Sequence, residues 1–212
     1  MDPNRRAARI VELLSGEYPV TGSELVHRTT WELLVATILS AQCTDIRVNQ
    51  VTPELLKRWP RPADLASAEQ HEVEEVIRVT GMFRRKASSL RAAAKIVSEK
   101  HSGEVPADLE ALVALPGVGR KTAKVVLGQA FGISAGVVVD THVRRLAQRL
   151  GLTRGDDPER IATELESLIP RTEWIAFSTR LILHGRRVCV ARSPRCDVCV
   201  LDGVCPRVGV PR

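Results

Sequence analysis

Apolar residues recur along most of the chain at intervals of three and four, the spacing that places side chains on one face of an α-helix. Near the amino terminus Ile10 and Leu14 follow this spacing, and in the middle of the chain Leu90, Ala94 and Val97 do the same. Alternation of apolar and polar residues, which is typical of a half-buried strand, is nearly absent. The pattern therefore predicts about ten short helices in an all-α fold.

Residues that favour helix starts and stops bracket these periodic segments. Thr30, Thr44 and Asp157, the last followed by proline, precede them, and such side chains accept a hydrogen bond from the first amides of a helix. Glycine favours the left-handed backbone that ends a helix. The predicted helix ends are Gly81, Gly103, Gly132, Gly151 and Gly185.

The composition permits a core and favours an anionic partner. The 212 residues are 44% apolar, and 31 Lys and Arg against 25 Asp and Glu give a net charge of +6. Such a balance favours nucleic acid, although many basic proteins merely have a solvated charged surface. Aromatic residues make up only 3%, which argues against a single-strand binder built on stacked rings.

The chain shows no targeting or membrane signal. The opening residues lack the apolar stretch and cleavage site of a secretory signal, and the apolar stretches are broken well before the roughly 18 residues that a membrane span needs. We therefore expect a cytoplasmic protein with no membrane partner. Thiols stay reduced in the cytoplasm, so closely spaced cysteines indicate a metal site more than disulfides.

A compact glycine turn, LPGVGRK at 115–121, interrupts the helical pattern. Gly117, Val118 and Gly119 would leave backbone amides uncovered just before a helix that starts near Arg120, and such amides can hold a phosphate. The alternative is a simple tight turn between packed helices. Lys121 follows in the first helical turn, where the helix dipole disfavours a positive charge and so favours the neutral amine that a nucleophile needs. Alternatively, Lys121 is an ordinary solvated lysine.

Four cysteines lie close together near the carboxyl end. Cys189, Cys196, Cys199 and Cys205 are spaced by six, two and five residues, in a stretch where apolar periodicity has ended. Such a stretch cannot order itself on hydrocarbon alone, so a bound metal centre is the expected support. Four thiolates suit either a tetrahedral zinc ion or a 4Fe-4S cluster, and their spacing does not decide between them.

Several stretches together resemble the endonuclease III branch of the helix-hairpin-helix DNA glycosylases. They are LSAQCTD at 39–45, GEVPADLEALVALPGVGRKTAKVVL at 103–127, VVDTHVRRLAQRLGL at 138–152, LILHGRRVC at 181–189 and the closing cysteines. The resemblance implies two all-α domains, a six-helix barrel at 22–134 and an iron–sulfur cluster domain formed by 1–21 and 135–212. It also implies that the four cysteines ligate a 4Fe-4S cluster.

The same resemblance implies a chemistry. Lys121 occupies the nucleophile position of the family and Asp140 that of the catalytic carboxylate, although Asp140 is also well suited to cap a helix. An amine joined to the opened sugar forms a Schiff base, which permits β-elimination of the 3′ phosphate. The expected activity is therefore a bifunctional glycosylase and abasic-site lyase of base excision repair, which removes damaged, oxidised pyrimidines.

The remaining expectations concern how DNA is held. A base must be extruded from the duplex before it can react, and the resemblance places Gln42 and Met82 as the residues that fill the gap. Met82 and Lys124 depart from the leucine and asparagine common in relatives; the alternative for Met82 is local packing. The expected phosphate contacts are Gly117, Val118, Gly119, Lys124, Arg144, Arg192 and Arg195, and the expected base-pocket residues are Thr44, Asp45 and His142.

The expected partner is double-stranded DNA containing a damaged base or an abasic site, bound by a monomer that associates with the nucleoid. Two other functions remain open. An adenine-mispair glycosylase shares the hairpin and the cluster, but that branch lacks a lysine at the position of Lys121. A non-catalytic DNA-binding module with a zinc ion would need neither Lys121 nor Asp140.

Overall fold

The computed structural model describes residues 2–210, and within that range it contains helices and turns but no strand. The all-α class is confirmed. The α-helices are α1 (Pro3–Glu17), α2 (Thr30–Leu39), α3 (Asp45–Arg58), α4 (Pro62–Ser67), α5 (Gln70–Ile77), α6 (Phe83–Lys100), α7 (Leu109–Val113), α8 (Arg120–Phe131), α9 (Thr141–Arg149), α10 (Pro158–Leu168) and α11 (Trp174–Arg187). Short 3-10 helices lie at Arg78–Thr80, Arg171–Glu173 and Cys196–Val198.

The chain forms two compact units. The central unit is Ser23–Ile133, and the terminal unit combines the chain up to Gly22 with the chain from Ser134 onward. The central unit contains α2 to α8, and the terminal unit contains α1 and α9 to α11. The barrel and the cluster domain expected from the sequence stay predictions. Within residues 2–210 no helix is both long and apolar enough to cross a membrane.

The central unit is organised around α2, which is apolar on every side. Its residues from Trp31 to Leu39 are buried with the exception of Glu32, and helices α3, α6 and α8 pack against it. A helix that is apolar all round must be enclosed by other elements. Each fully buried leucine, such as Leu33 or Leu34, contributes about 1.5–3 kcal/mol. Burial of α2 therefore fixes the frame that carries the glycine turn.

The helix cap predicted at Thr30, at the start of α2, is wrong by one residue. The N-cap is Thr29, not Thr30: the Thr29 hydroxyl accepts a hydrogen bond from the amide of Glu32 at 3.2 Å. Glu32 follows Thr29 by three residues, the spacing at which a Thr and a Glu satisfy the first amides of a helix. The caps predicted at Thr44 and Asp157 are confirmed.

The terminal unit packs α11 against α1 and α9, and α10 against α1 and α9. Its core contains Ile10 and Leu14 of α1 together with Leu146, Leu165 and Phe177 of the other three helices. Because Ile10 and Leu14 are one helical turn apart, the spacing that predicted α1 also gives its buried face. The unit thus joins the two ends of the chain in one core.

Gly185 was predicted to end a helix, and this prediction is wrong. Gly81, Gly103, Gly132 and Gly151 have positive φ angles at helix ends, as predicted, but Gly185 lies inside α11. A Cβ atom at Gly185 would lie 3.0 Å from the Cβ of His142. Glycine is therefore present because α9 approaches α11 closely at this point, which the local sequence pattern does not reveal.

Candidate functional site

The glycine turn joins α7 to α8 in the central unit. Gly117 has a φ of +82°, and a Cβ there would lie 2.9 Å from the Cβ of Ser89 on α6. Glycine is thus required both by the backbone and by the close neighbour. The Val118 amide donates to the Leu115 carbonyl at 3.0 Å, and the Val118 side chain is buried. Val118 therefore anchors the turn, while Gly117 and Gly119 are exposed.

Lys121 is an exposed side chain in the first turn of α8. Gly119 is the N-cap residue and has no side chain with which to cover the amides that follow. The Arg120 guanidinium contacts the Glu110 carboxylate of α7 at 3.2 Å, which draws that charge away from the turn. Lys124 lies one turn after Lys121 and is partly buried. The positive end of α8 thus presents backbone amides and an amine together, as an anion site requires.

Gln42 and Met82 share an unusual backbone. Both are exposed, and both have left-handed φ angles, 52° for Gln42 and 45° for Met82. Among residues 2–210 the only other non-glycine residues with positive φ are Ser102 and Arg207. A left-handed backbone is costly for residues with side chains, and such residues cluster at functional sites. The two residues assigned to gap filling are therefore among the most strained of the described chain.

Thr44 and Asp45 begin α3. The Thr44 hydroxyl accepts from the Arg47 amide at 3.5 Å, so the capping alternative is confirmed for Thr44. Asp45 is the first residue of the helix, where a carboxylate is favoured by the helix dipole, and it is partly buried. Their contact with a base stays a prediction.

In the terminal unit Asp140 is the N-cap of α9. Its Oδ1 atom accepts from the amides of His142 and Val143, both at 2.8 Å. The capping role is thus confirmed, and it does not exclude a catalytic one. Both bonds end on Oδ1, so within residues 2–210 the capping bonds use only one of the two carboxylate oxygens.

His142 and Arg144 follow Asp140 on α9. His142 is half-buried, and burial lowers the pKa of its imidazole against the opposing effect of Asp140, so the ring stays neutral near pH 7. Its Nδ1 lies 3.1 Å from the Arg145 guanidinium. Arg144 is exposed, as a phosphate contact must be. Base contact by His142 and phosphate contact by Arg144 stay predictions.

The four cysteines line one cavity in the terminal unit. Apolar side chains, including Leu146, Leu150 and Leu201, form much of the wall. Burial raises the pKa of the Cys199 thiol to about 11 and also raises the pKa of the Cys205 thiol. An apolar cavity with four soft sulfur donors suits a metal centre whose positive charge stabilises the thiolates.

Hydrogen-bonding groups surround the sulfur atoms of this cavity. Arg149 NH1 lies 3.3 Å from Cys189 Sγ, and the Arg207 amide donates to Cys205 Sγ at 3.4 Å. His184 Nε2 lies 3.3 Å from Cys199 Sγ, and its Nδ1 lies 3.1 Å from the Tyr18 hydroxyl. Donors aimed at sulfur are typical of iron–sulfur sites, where they stabilise the ligating thiolates. The residues present therefore fit a four-thiolate centre.

Sequence reasoning missed Arg149, which contacts the loop between Cys189 and Cys196, called the cysteine loop below. This buried arginine donates to the carbonyls of Val190 at 2.8 Å and Ala191 at 2.7 Å. Arg145, one turn earlier, donates to the carbonyls of Gly185 and Cys189. The two arginines are four residues apart on α9, so they share a face, and this spacing was the available signal. Arg192 and Arg195 of the loop are exposed.

Sequence comparison finds similarity to base excision DNA repair proteins, and to endonuclease III in particular. Residues 35–171 match the sequence model of a family described as HhH-GPD superfamily base excision DNA repair protein. The chain is 52% identical over 202 residues to an endonuclease III from Synechocystis sp., with 95% of this chain and 92% of that protein covered. Endonuclease III from Escherichia coli K12 is 39% identical over 196 residues, 92% of each chain.

Solved structures agree with the sequence comparison. The structure of a non-covalent endonuclease III–DNA complex matches with a TM-score of 0.92 at 40% identity, covering 98% of this chain and 97% of that one. A trapped endonuclease III–DNA covalent intermediate, an estranged-adenine complex, matches with a TM-score of 0.91 at 39% identity and the same coverage. A thermostable thymine-DNA glycosylase at 22% identity, with a TM-score of 0.82 and 97% of each chain covered, shares the fold.

Proposed function

Because the chain belongs to the endonuclease III family of the HhH-GPD superfamily of base excision DNA repair proteins, we propose that it is a DNA glycosylase with abasic-site lyase activity. Its substrate is double-stranded DNA that carries an oxidised pyrimidine. The observation that carries the proposal is the exposed Lys121 amine in the first turn of α8, directly after the glycine turn. The relatives solved with DNA, one of them as a trapped covalent intermediate, support it.

Lys121 is the proposed nucleophile. Its Nζ atom forms a bond to C1′ of the damaged nucleotide as the bond between C1′ and the base breaks, and the base leaves with the bonding electrons. Positive charge develops on the sugar in this step, and the Asp140 carboxylate stabilises it. Asp140 then accepts a proton from the attached amine. The pair thus divides the work between attack and charge stabilisation.

The lyase activity follows from the same bond. When the sugar ring opens, the attached nitrogen forms a Schiff base with C1′, and this group draws electrons from the neighbouring carbon. Loss of a proton from C2′ then expels the 3′ phosphate and cuts the strand. An oxygen nucleophile could not form this electron sink, so the amine accounts for both activities.

The proposed DNA contacts come from several turns and helices. We assign the backbone amides of Gly117 and Gly119 to one phosphate, and Lys124, Arg144, Arg192 and Arg195 to others. The Val118 amide, expected from the sequence to be uncovered, already donates to the Leu115 carbonyl and so supports the turn instead. Gln42 and Met82 fill the gap left by the extruded nucleotide. Thr44, Asp45 and His142 contact the extruded base.

The four cysteines are the proposed ligands of a 4Fe-4S cluster. Within residues 2–210 the four thiols line one cavity with largely apolar walls, and hydrogen-bond donors lie near the sulfur atoms of Cys189 and Cys205. These features support a centre of iron and sulfide held by four thiolates. When bound, the cluster supplies cross-links that order the carboxyl-terminal loop, and base removal draws no electrons from it.

Borohydride trapping tests the proposal. The cluster-loaded protein is mixed with duplex DNA that contains one abasic site, and borohydride reduces any Schiff base to a stable adduct. We expect a full adduct from the unaltered protein and from Lys95→Ala, an exposed lysine of α6, but none from Lys121→Ala. The proposal fails if the unaltered protein forms no adduct or if Lys121→Ala is trapped at the normal rate.

A further inference from the structure

Lys86 of α6 is a buried lysine that no step of the proposed reaction uses. The residue is only 4% exposed. Its Nζ atom donates to the carbonyl of Leu39 at 2.8 Å and to the carbonyl of Thr80 at 2.7 Å. These two carbonyls belong to different segments, the end of α2 and the end of the 3-10 helix Arg78–Thr80. A single amine therefore joins two parts of the central unit.

Such a lysine is costly, which argues that it serves more than stability. Burial lowers the pKa of Lys86 below its ordinary value, and within residues 2–210 no carboxylate forms an ion pair with it. Lysine is seldom fully buried without an acidic partner, because desolvation opposes its charge. An apolar side chain of similar length would avoid this desolvation but would leave the carbonyls of Leu39 and Thr80 without the amine donor. What the amine adds is the pair of directed hydrogen bonds.

Both bonded carbonyls lie just before strained, exposed residues. Leu39 precedes Gln42 by three residues, and Thr80 precedes Met82 by two. Gln42 and Met82 are the two residues with left-handed φ angles that the proposed function assigns to gap filling. Thr80 is itself buried, and its hydroxyl donates to the Ile77 carbonyl at 2.8 Å, so the anchoring point is firm. Lys86 thus anchors the chain just before each of two loops, the Gln42 loop (41–43) and the Met82 loop (81–83).

We propose that Lys86 is a positioning residue that sets the spacing and orientation of the Gln42 and Met82 loops, so that both side chains enter the duplex together. This inference rests on the proposed function. Two strained loops that were not tied to each other could each relax to other conformations, and insertion of both into one gap would then be rare. Lys86 acts through these loops and does not contact the reacting atoms.

Single-stranded DNA separates this role from a merely structural one. An abasic site in a single strand has no opposite base and no stacked duplex to open, so its reaction with Lys121 does not need the two loops. Lys86→Met keeps the length of the side chain and removes both hydrogen bonds. The matched control is Lys95→Met on the same helix, where the lysine is exposed. The rate of borohydride-trapped adduct formation is measured on duplex and on single-stranded abasic DNA.

We expect Lys86→Met to slow trapping on duplex DNA by about tenfold or more while trapping on the single strand stays near the unaltered rate. The control should match the unaltered protein on both. Equal losses on the two substrates, or no loss on either, would overturn the role of Lys86. Failure of the unaltered protein to trap either substrate would instead overturn the proposed function, so the two failures are distinguishable.

A second variant covers the case in which Lys86→Met does not fold. Lys86→Gln keeps a donor group on a shorter chain. Hydrogen exchange of the backbone amides in 41–43 and 81–83 is compared with exchange in α2 and α6. We expect faster exchange in both loops with the helices unchanged. If both loops of Lys86→Gln exchange as slowly as those of the unaltered protein, the two hydrogen bonds do not position them and the proposal is overturned.

Discussion

The central and terminal units reach order by different means. In the central unit an all-apolar helix, α2, is enclosed by its neighbours, and hydrocarbon burial fixes the turns that carry Lys121, Gln42 and Met82. In the terminal unit residues 189–210 have little apolar periodicity; there the buried Arg149 donates to two loop carbonyls, and the four cysteines line one cavity. Apolar periodicity thus makes the hydrophobic frame of the central unit predictable from the sequence. A loop ordered by directed polar contacts carries no such periodic signal.

Loss of the proposed cluster should have the largest effect on stability, and this effect should be confined to the terminal unit. Cys199→Ser should lose the cluster, and because metal binding and folding are coupled, the cost is on the order of 10 kcal/mol of binding energy. Residues 189–210 should then lose protection from hydrogen exchange, while α2 and α6 keep theirs. Iron and sulfide should fall from about four of each per chain. Full iron content in the variant, or loss of protection throughout the central unit, would contradict this expectation.

Asp140 separates a structural role from a chemical one within the terminal unit. Asparagine caps helices about as well as aspartate, so Asp140→Asn should change the free energy of unfolding little. Loss of the carboxylate should nevertheless slow base removal by about 100- to 10,000-fold. Asp140→Ala serves as the comparison, because it should lose both the activity and about 1 kcal/mol of stability. Single-turnover kinetics and urea unfolding measure the two effects, and normal activity in Asp140→Asn would exclude the catalytic role.

A truncation in the central core should have a purely structural effect. Leu34 of α2 is fully buried, so Leu34→Ala should lower the free energy of unfolding by about 2–5 kcal/mol. The visible absorption of the proposed cluster should remain, because its ligands lie in the other unit. Denaturant titration followed by circular dichroism gives the stability. A loss below 1 kcal/mol would show that α2 is less central to the frame than its burial indicates.

The smallest expected effect concerns the start of α2. Thr29→Ala removes the hydroxyl that accepts from the Glu32 amide and should cost about 1 kcal/mol. Thr30→Ala, the matched change one residue later, should cost much less because Thr30 does not cap the helix. Thermal unfolding of the pair measures the difference. Equal losses would place the cap at neither residue alone.

The sequence predicted the helices better than it predicted the contacts between residues that are distant in the chain. Ile10 and Leu14 gave the buried face of α1 correctly, because periodicity depends on the helix itself. Gly185 was misplaced and Lys86 and Arg149 were missed, because a close helix approach or a buried cation depends on residues distant in the chain. Thr30 was taken for a cap because two adjacent threonines offer the same hydroxyl. The catalytic roles of Lys121 and Asp140 remain predictions.

Helix α9 is capped at one end by Asp140 and grips the cysteine loop at the other through Arg149. At about 1.5 Å per residue it is a stiff rod some 13 Å long. The position of Asp140 is therefore coupled through one rigid element to the loop between Cys189 and Cys196, which Arg149 contacts at the carbonyls of Val190 and Ala191. The carboxylate that the proposed function places at the substrate thus depends, for its location, on contacts made at the opposite end of α9.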